Sequence, residues 1–247
     1  MILKRQRTLH LLVIAFIFTG CASFEPGLRY QDLTRPRQPT AKEAQVGLEV
    51  SVEEFASANK SQQAFDADLA AYGILALLVR VENNGTQSYS VRRSDIKGIL
   101  GDQPLSQLVG TEAAGEAGTR EYAGKALGWT VATGPFFILL WPATIGGSAA
   151  HTASVNRRVE QHFESLAFTD ALLKPNQMAA GFVYFKLPDG VQRLDNLTVE
   201  VEPSEEKNGR RLSYKLSLPS LDLSEPASSR ETSEDVETNW RQAGPPP

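Results

Sequence analysis

Three stretches of the chain alternate apolar and polar residues with a period of two, and that pattern leaves little choice of backbone. Val46, Leu48, Val50 and Val52 alternate with Gly47, Glu49, Ser51 and Glu53. Leu197, Val199 and Val201 alternate with Thr198, Glu200 and Glu202, and Leu212, Tyr214, Leu216 and Leu218 with Arg211, Ser213, Lys215 and Ser217. Successive side chains of a strand point to opposite faces, so each stretch predicts a half-buried strand. The last two, joined by a loop ending at Asn208-Gly209, predict a hairpin with one face in a core and one in water. Residues 73–81 are apolar on both faces at first and predict a central strand. They run into Asn83-Asn84-Gly85, which predicts a type I′ turn pairing them with the strand carrying Tyr89 and Val91. Residues 181–187 predict an aromatic-rich strand ending at Pro188-Asp189-Gly190. A short helix is predicted over 61–71, with Phe65 and Leu69 one turn apart.

About seven strands at hairpin spacing, with no helices alternating between them, predict a mostly β fold with a helical insertion (α+β). The architecture expected is an antiparallel, immunoglobulin-like β-sandwich over residues 46–218. The insertion spans residues 111–175, where the alternation stops. Its first part, 111–127, is rich in Ala, Glu and Gly and predicts a helix. From Ser154, Val155, Val159, Phe163 and Leu166 form one stripe, with Arg157, Arg158, Glu160 and Glu164 on the other side of an amphipathic helix. Between them, residues 126–150 hold no charged group. As one helix that stretch would be about 37 Å long, enough to span a bilayer. Pro135 and Pro142 break it, each at a cost of about 3 kcal/mol. The apolar residues return only about −4 kcal/mol on insertion. A broken apolar helical hairpin is the expectation.

The same region supplies the expected contact surface. Gly124 and Gly128 form a GxxxG pair, Gly147 lies beyond the second proline, and small residues let helix backbones approach closely. Trp129 and Trp141 flank Phe136, Phe137 and Leu140 in the manner of interfacial anchors. Three occupants stay open: the chain's own sandwich, a membrane, and a protein partner or second copy of the chain.

The N-terminus reads as an export signal. Lys4, Arg5 and Arg7 precede an apolar run over 11–18, too short to cross a ~30 Å hydrocarbon core as a helix. Cys21 is the chain's one cysteine, so it can form no internal disulfide. The string F-T-G-C-A-S around it resembles a bacterial lipobox, with Phe18 where leucine is usual. That resemblance implies cleavage between Gly20 and Cys21 and covalent lipid (diacylglycerol and palmitate) on Cys21, the bland alternative being ordinary cleavage after Ala22. Two or more acyl chains make a stable anchor. By the same resemblance, Ala22 and Ser23 lack the aspartate that retains such proteins at the inner membrane. The periplasmic face of the outer membrane is therefore expected. Residues 21–45 read as a flexible tether reaching roughly 25–30 Å, and 219–247 as a disordered acidic, proline-rich tail. Its Trp240 reads as a chance residue or a short docking element.

Charge excludes one class of partner. Losing Lys4, Arg5 and Arg7 with the leader leaves 22 basic residues against 29 acidic, a formal charge of −7. An acidic body offers no footprint for nucleic acid. Near-miss motifs carry no chemistry either. Gly118 to Lys125 has five residues between its glycines where a phosphate loop needs four, and Ala126 stands where magnesium needs a hydroxyl. Ser148 in Gly146-Gly147-Ser148-Ala149-Ala150 echoes a nucleophile elbow, but only His151, Glu160 and His162 follow closely, too near in sequence for that triad. His151 and His162 alone make no metal site. No catalytic residue, metal or cofactor is expected.

Residues 64–85 and 173–188 resemble uncharacterised Gram-negative lipoproteins that pair an immunoglobulin-like sandwich with a glycine-rich apolar insertion. The likeness lends no catalytic residues or cofactor, and the expected role is that of a non-enzymatic, envelope-facing binding or scaffold module. Two alternatives remain: a self-assembling, glycine-rich membrane-associated lipoprotein, and a hydrolase or enzyme accessory. A buried carboxylate pair with convergent polar groups would favour the last.

Overall fold

A computed structural model describes residue 24 and residues 26–35, 38–117 and 156–223. Its described part is mostly β, with every strand pair antiparallel. One sheet has the order β1-β2-β3-β9-β7: β1 Ala41–Gln45, β2 Leu48–Glu54, β3 Ile74–Asn83, β9 Gln177–Lys186 and β7 Ser106–Leu108. A second has the order β13-β11-β5-β6: β13 Tyr214–Ser217, β11 Leu197–Val201, β5 Ile96–Leu100 and β6 Gln103–Pro104. The first begins with three consecutive strands as a meander, unlike the ABED and CFG sheets of an immunoglobulin domain. Small sheets complete the described strands: β4 Tyr89–Val91 lies between β8 Ala171–Leu173 and β12 Ser204–Glu205, and β10 Arg193–Leu194 pairs with β14 Leu221–Asp222.

The alternating residues lie where a half-buried strand requires. Leu48, Val50 and Val52 of β2 face Leu197, Val199 and Val201 of β11 and Tyr214 and Leu216 of β13 across one core. The hairpin predicted at the C-terminal end forms, with Val199 opposite Leu216 and Val201 opposite Tyr214. The sandwich is tied together along both sides. β6 leaves β5 and continues, through Leu105 donating to the Gly98 carbonyl, into β7 on β9. On the other side the Tyr214 hydroxyl hydrogen is shared between the carbonyls of Gln45 and Leu48, each 3.1 Å away. Burial, aided by the nearby Tyr89 and Glu43, pushes that hydroxyl's pKa up to about 12, so it donates at any physiological pH.

β3 is central, as its apolar run predicts, and both of its faces are buried. Leu75, Leu77, Val79 and Val81 enter the sandwich core, while Ile74, Ala76 and Leu78 enter a second apolar layer outside the sheet. That layer is built by α1 (Ala58–Phe65), the helical residues 110–117 (α2) and 156–166 (α3), and the N-terminal segment. Ser57 caps α1 by accepting from the Lys60 amide, and Asp66 ends it in the left-handed region. The helix predicted over 61–71 is thus cut at Phe65, and a 3-10 turn over Ala70–Tyr72 follows.

Four expectations are corrected. The strand read from Val46 starts at Leu48, because Val46 and Gly47 are the turn between β1 and β2, with φ of 50° and 80°. Asn84-Gly85 does not form a type I′ hairpin. Both hydrogen-bonding edges of β3 are taken, by β2 and β9, so β4 pairs elsewhere. The insertion read as 111–175 does not run to 175, because β8 within it pairs with β4. The tether read over 21–45 is docked across its described part: Ala41–Gln45 is a strand, and Leu28 and Leu33 are buried. The helical hairpin expected over 126–150 and the tail beyond residue 223 lie outside the described residues.

A β-branched residue at φ of 50° is strained, and Val46 is 64% exposed, so nothing it packs against compensates. Left-handed backbone costs an L residue about 1–2 kcal/mol, and asparagine tolerates it. Val46→Asn is expected to stabilise the fold by about 1 kcal/mol, raising Tm by roughly 2–4 °C in a thermal melt.

Candidate functional site

All the residues expected to form the anchor or contact surface (Gly20, Cys21, Gly124, Gly128, Trp129, Phe136, Phe137, Leu140, Trp141 and Gly147) lie outside the described residues. Their flanks are described. Ala113, Ala114 and Ala117 of α2 and Val159, Phe163 and Leu166 of α3 are buried in the outer apolar layer, while Arg157, Arg158, Glu160 and Glu164 are exposed. The amphipathic stripe predicted for α3 is therefore spent on the chain's own sheet. Both ends of the insertion spring from the layer over β3 and β9.

The N-terminal segment enters the same layer, which sequence reasoning missed. Gly27 donates to the Gln63 carbonyl of α1 at 2.8 Å. A Cβ on Gly27 would lie 2.9 Å from that oxygen, which is why a glycine fits this close approach. Leu33 is 1% exposed and Leu28 buried beside it. Between them a 3-10 turn, Tyr30–Asp32, is held by Asp32, which accepts from the Arg29 amide at 2.9 Å and pairs with Arg35 at 2.9 Å. Arg80 of β3 donates to the Arg35 carbonyl at 3.1 Å, fastening the segment's far end. At its start the Phe24 ring meets His162 of α3 edge-on, centroids 5.4 Å apart. The only hint in sequence was Phe24, Leu28 and Leu33 standing in a run otherwise rich in Pro, Arg, Gln and Thr.

His162 therefore joins three elements. Its Nε2 lies 2.9 Å from the Ala64 carbonyl, and since a carbonyl only accepts, Nε2 must carry the hydrogen. Phe65 and Phe163 also face the ring, with centroids at 6.2 and 6.3 Å. Burial, only partly opposed by the Ala64 bond, lowers the His162 pKa from its ordinary 6.5. The unfolded chain then takes up the proton more readily than the folded one. The stability tied to neutral His162 is complete above pH 6.5 and falls as pH drops through 6.5 toward the lower folded-state value. Denaturant melts across that range are expected to show this loss, and His162→Gln, which keeps a donor but cannot titrate, to lessen it.

A mixed-charge cleft of about 200 Å³ lies between the N-terminal segment (Leu33, Pro39) and the outer face of β1 to β3. Its charges pair along the wall: Lys42 with Glu49 at 3.3 Å and Arg80 with Glu82 at 3.5 Å. The buried acid Glu53, 9% exposed, also lines the cleft, and the next residue, Glu54, is 8% exposed. Both face the Lys60 ammonium, Glu54 at 3.0 Å and Glu53 at 3.7 Å, and Glu54 also accepts from the Ala56 amide at 2.9 Å. That cluster closes α1 onto β2 around the Lys60 cation. Among the described residues no three His, Cys, Asp or Glu side chains converge as metal ligands, and no helix is long and apolar enough to cross a membrane.

No protein-family model matches the chain, and no curated protein matches it. Among solved structures, this chain is similar to a candidate lipoprotein, YcdA, from Bacillus subtilis, at 11% identity and a TM-score of 0.33. The match covers 73% of this chain and 39% of that one, so this chain spans well under half of that protein's length.

Proposed function

We propose that the chain is a lipid-anchored envelope protein that binds or scaffolds without catalysing a reaction. One observation carries the reading: the lone cysteine of the chain stands in F-T-G-C-A-S, directly behind a basic and then an apolar run of signal-peptide length. A thiol with no disulfide partner, placed where a lipobox puts its acylated cysteine, has a ready use as the mature N-terminus. Ala22 and Ser23 favour the periplasmic face of the outer membrane. The ion-paired setting of Glu53 and Glu54 supports a binding role over a hydrolase.

Residues 126–150 are the proposed contact surface, with Trp129, Phe136, Phe137, Leu140 and Trp141 as its apolar groups and Gly124, Gly128 and Gly147 as its close-packing positions. Support comes from the flanking helices, whose apolar stripes are already used on the sheet. The test is envelope fractionation of wild type and Cys21→Ser, each with and without residues 126–150, alongside intact mass of the native protein. Wild type is expected in the membrane pellet with acyl mass on Cys21, and Cys21→Ser in the soluble fraction. An unmodified thiol, or a start site other than Cys21, would sink the proposal. A Cys21→Ser protein that pellets only while 126–150 is present would make that stretch a second anchor.

A further inference from the structure

A flexible tether over residues 21–45 would hold the body clear of a membrane, and the docking of its described part removes that freedom. The described residues from Phe24 to β1 are fastened: Phe24 to His162, Gly27 to α1, Leu28 and Leu33 into the outer layer, Arg80 to the Arg35 carbonyl, and then β1 into the sheet. Only three peptide steps separate Cys21 from Phe24. At 3.3–3.6 Å per residue, even fully extended, they reach about 10 Å.

We infer that the corner formed by Phe24, His162 and the C-terminal end of α1 lies directly against a phospholipid surface, with the helical layer toward the bilayer and the β13-β11-β5-β6 sheet away from it. The inference rests on the lipid-anchor reading and adds the face and the distance. An anchor at Cys21 holds Phe24 within that reach of the headgroups, whereas a free 24-residue coil would let the body tumble. Facing sheets are about 10 Å apart and a helical layer adds roughly 8–10 Å more. The outer face of the second sheet therefore stands roughly 20 Å farther from the lipid than α1. The described residues nearest the 126–150 stretch on either side, Ala117 and Val159, are buried in the membrane-proximal layer with Leu28.

The lone cysteine makes the test clean. Once Cys21 carries lipid, an introduced cysteine is the one free thiol. Gln63→Cys, on exposed α1 beside Gly27, and Ser217→Cys, on the exposed outer face of β13, each take a fluorophore. The natively lipidated full chain goes into phosphatidylethanolamine–phosphatidylglycerol vesicles carrying a headgroup nitroxide quencher. Quenching at position 63 is expected to exceed that at 217 severalfold. Inserting about 12 Gly and Ser residues between Ser23 and Phe24, a coil of roughly 20 Å, is expected to erase the difference. Equal quenching at the two sites in protein whose mass shows acylated Cys21 overturns the inference while leaving the anchor intact. A mass showing free Cys21, with a second labelled thiol, instead overturns the anchor and the inference with it.

Discussion

Gly181→Ala is expected to lower stability by about 3 kcal/mol and Tm by roughly 6–12 °C, although it adds one methyl to a buried strand. The chain leaving α3 crosses β9 at this residue. Phe168 donates its amide to the Phe182 carbonyl at 2.8 Å, and Ala167 bridges Phe182. A Cβ on Gly181 would lie 2.4 Å from the Cα of Phe168, 2.6 Å from its nitrogen and 2.9 Å from the carbonyl carbon of Ala167. All three atoms are backbone, so no rotamer change relieves the clash. Either β9 shifts against β3, with which it shares ten register pairs, or the crossing lifts and pulls the Phe168 ring from the sandwich core. Thermal denaturation of the purified variant checks this. A melt within about 1 °C of wild type would mean the crossing is looser than these distances require.

Phe65→Ala is expected to cost about 3–5 kcal/mol, a large share of the roughly 5–15 kcal/mol that holds a domain folded. Phe65 is fully buried where α1, α3 and the sheet meet. Its ring lies 4.9 Å from Phe163, 4.9 Å from Phe182, 5.9 Å from Tyr184, 6.2 Å from His162 and 6.4 Å from Phe55. Tyr184 cannot swing in to fill the gap, because its hydroxyl donates to the Phe163 carbonyl at 3.1 Å. Burial pushes the pKa of that phenol well above 10, so it remains a donor. The hole should loosen the outer layer before the sandwich, since the sandwich core is a separate cluster. Limited proteolysis is expected to cut the variant first within residues 24–40, whose Leu28 and Leu33 rest on this layer. Cleavage beginning instead in β11 or β13 would show that the two cores unfold as one.

Both sites differ in how far the sequence foretold them. Phe65 was readable as buried, one helical turn from Leu69, and α3 showed its stripe of Val159, Phe163 and Leu166. Gly181 was not readable as special. A glycine opening a strand-like run looks like any other until the residue that crosses it is known. The same limit explains the misplaced hairpin. Asn84-Gly85 has the local chemistry of a tight turn, but whether β3 pairs across it depends on whether a longer strand has already taken that edge. Val46-Gly47 is the converse case, a tight turn at a dipeptide with little propensity for one. There the pairing of β1 with β2, and Gly47 packed against Gly85, hold a strained valine in place.

What the sequence determined by itself was the set of faces. Period-two alternation at 48–53, 197–201 and 212–218 marked which side chains go inward, and an apolar run marked β3 as buried twice over. Those are properties of each residue and its near neighbours, because transfer of apolar surface from water is non-directional and needs no particular partner. The tertiary structure alone decided who pairs with whom. Backbone amides and carbonyls are the same in every residue, so the strand order and the bridge through β6 and β7 had no local signature, and the docking of Phe24 to Leu33 had only three apolar residues in a polar run to announce it. They follow from competition among edges and surfaces for the whole chain at once.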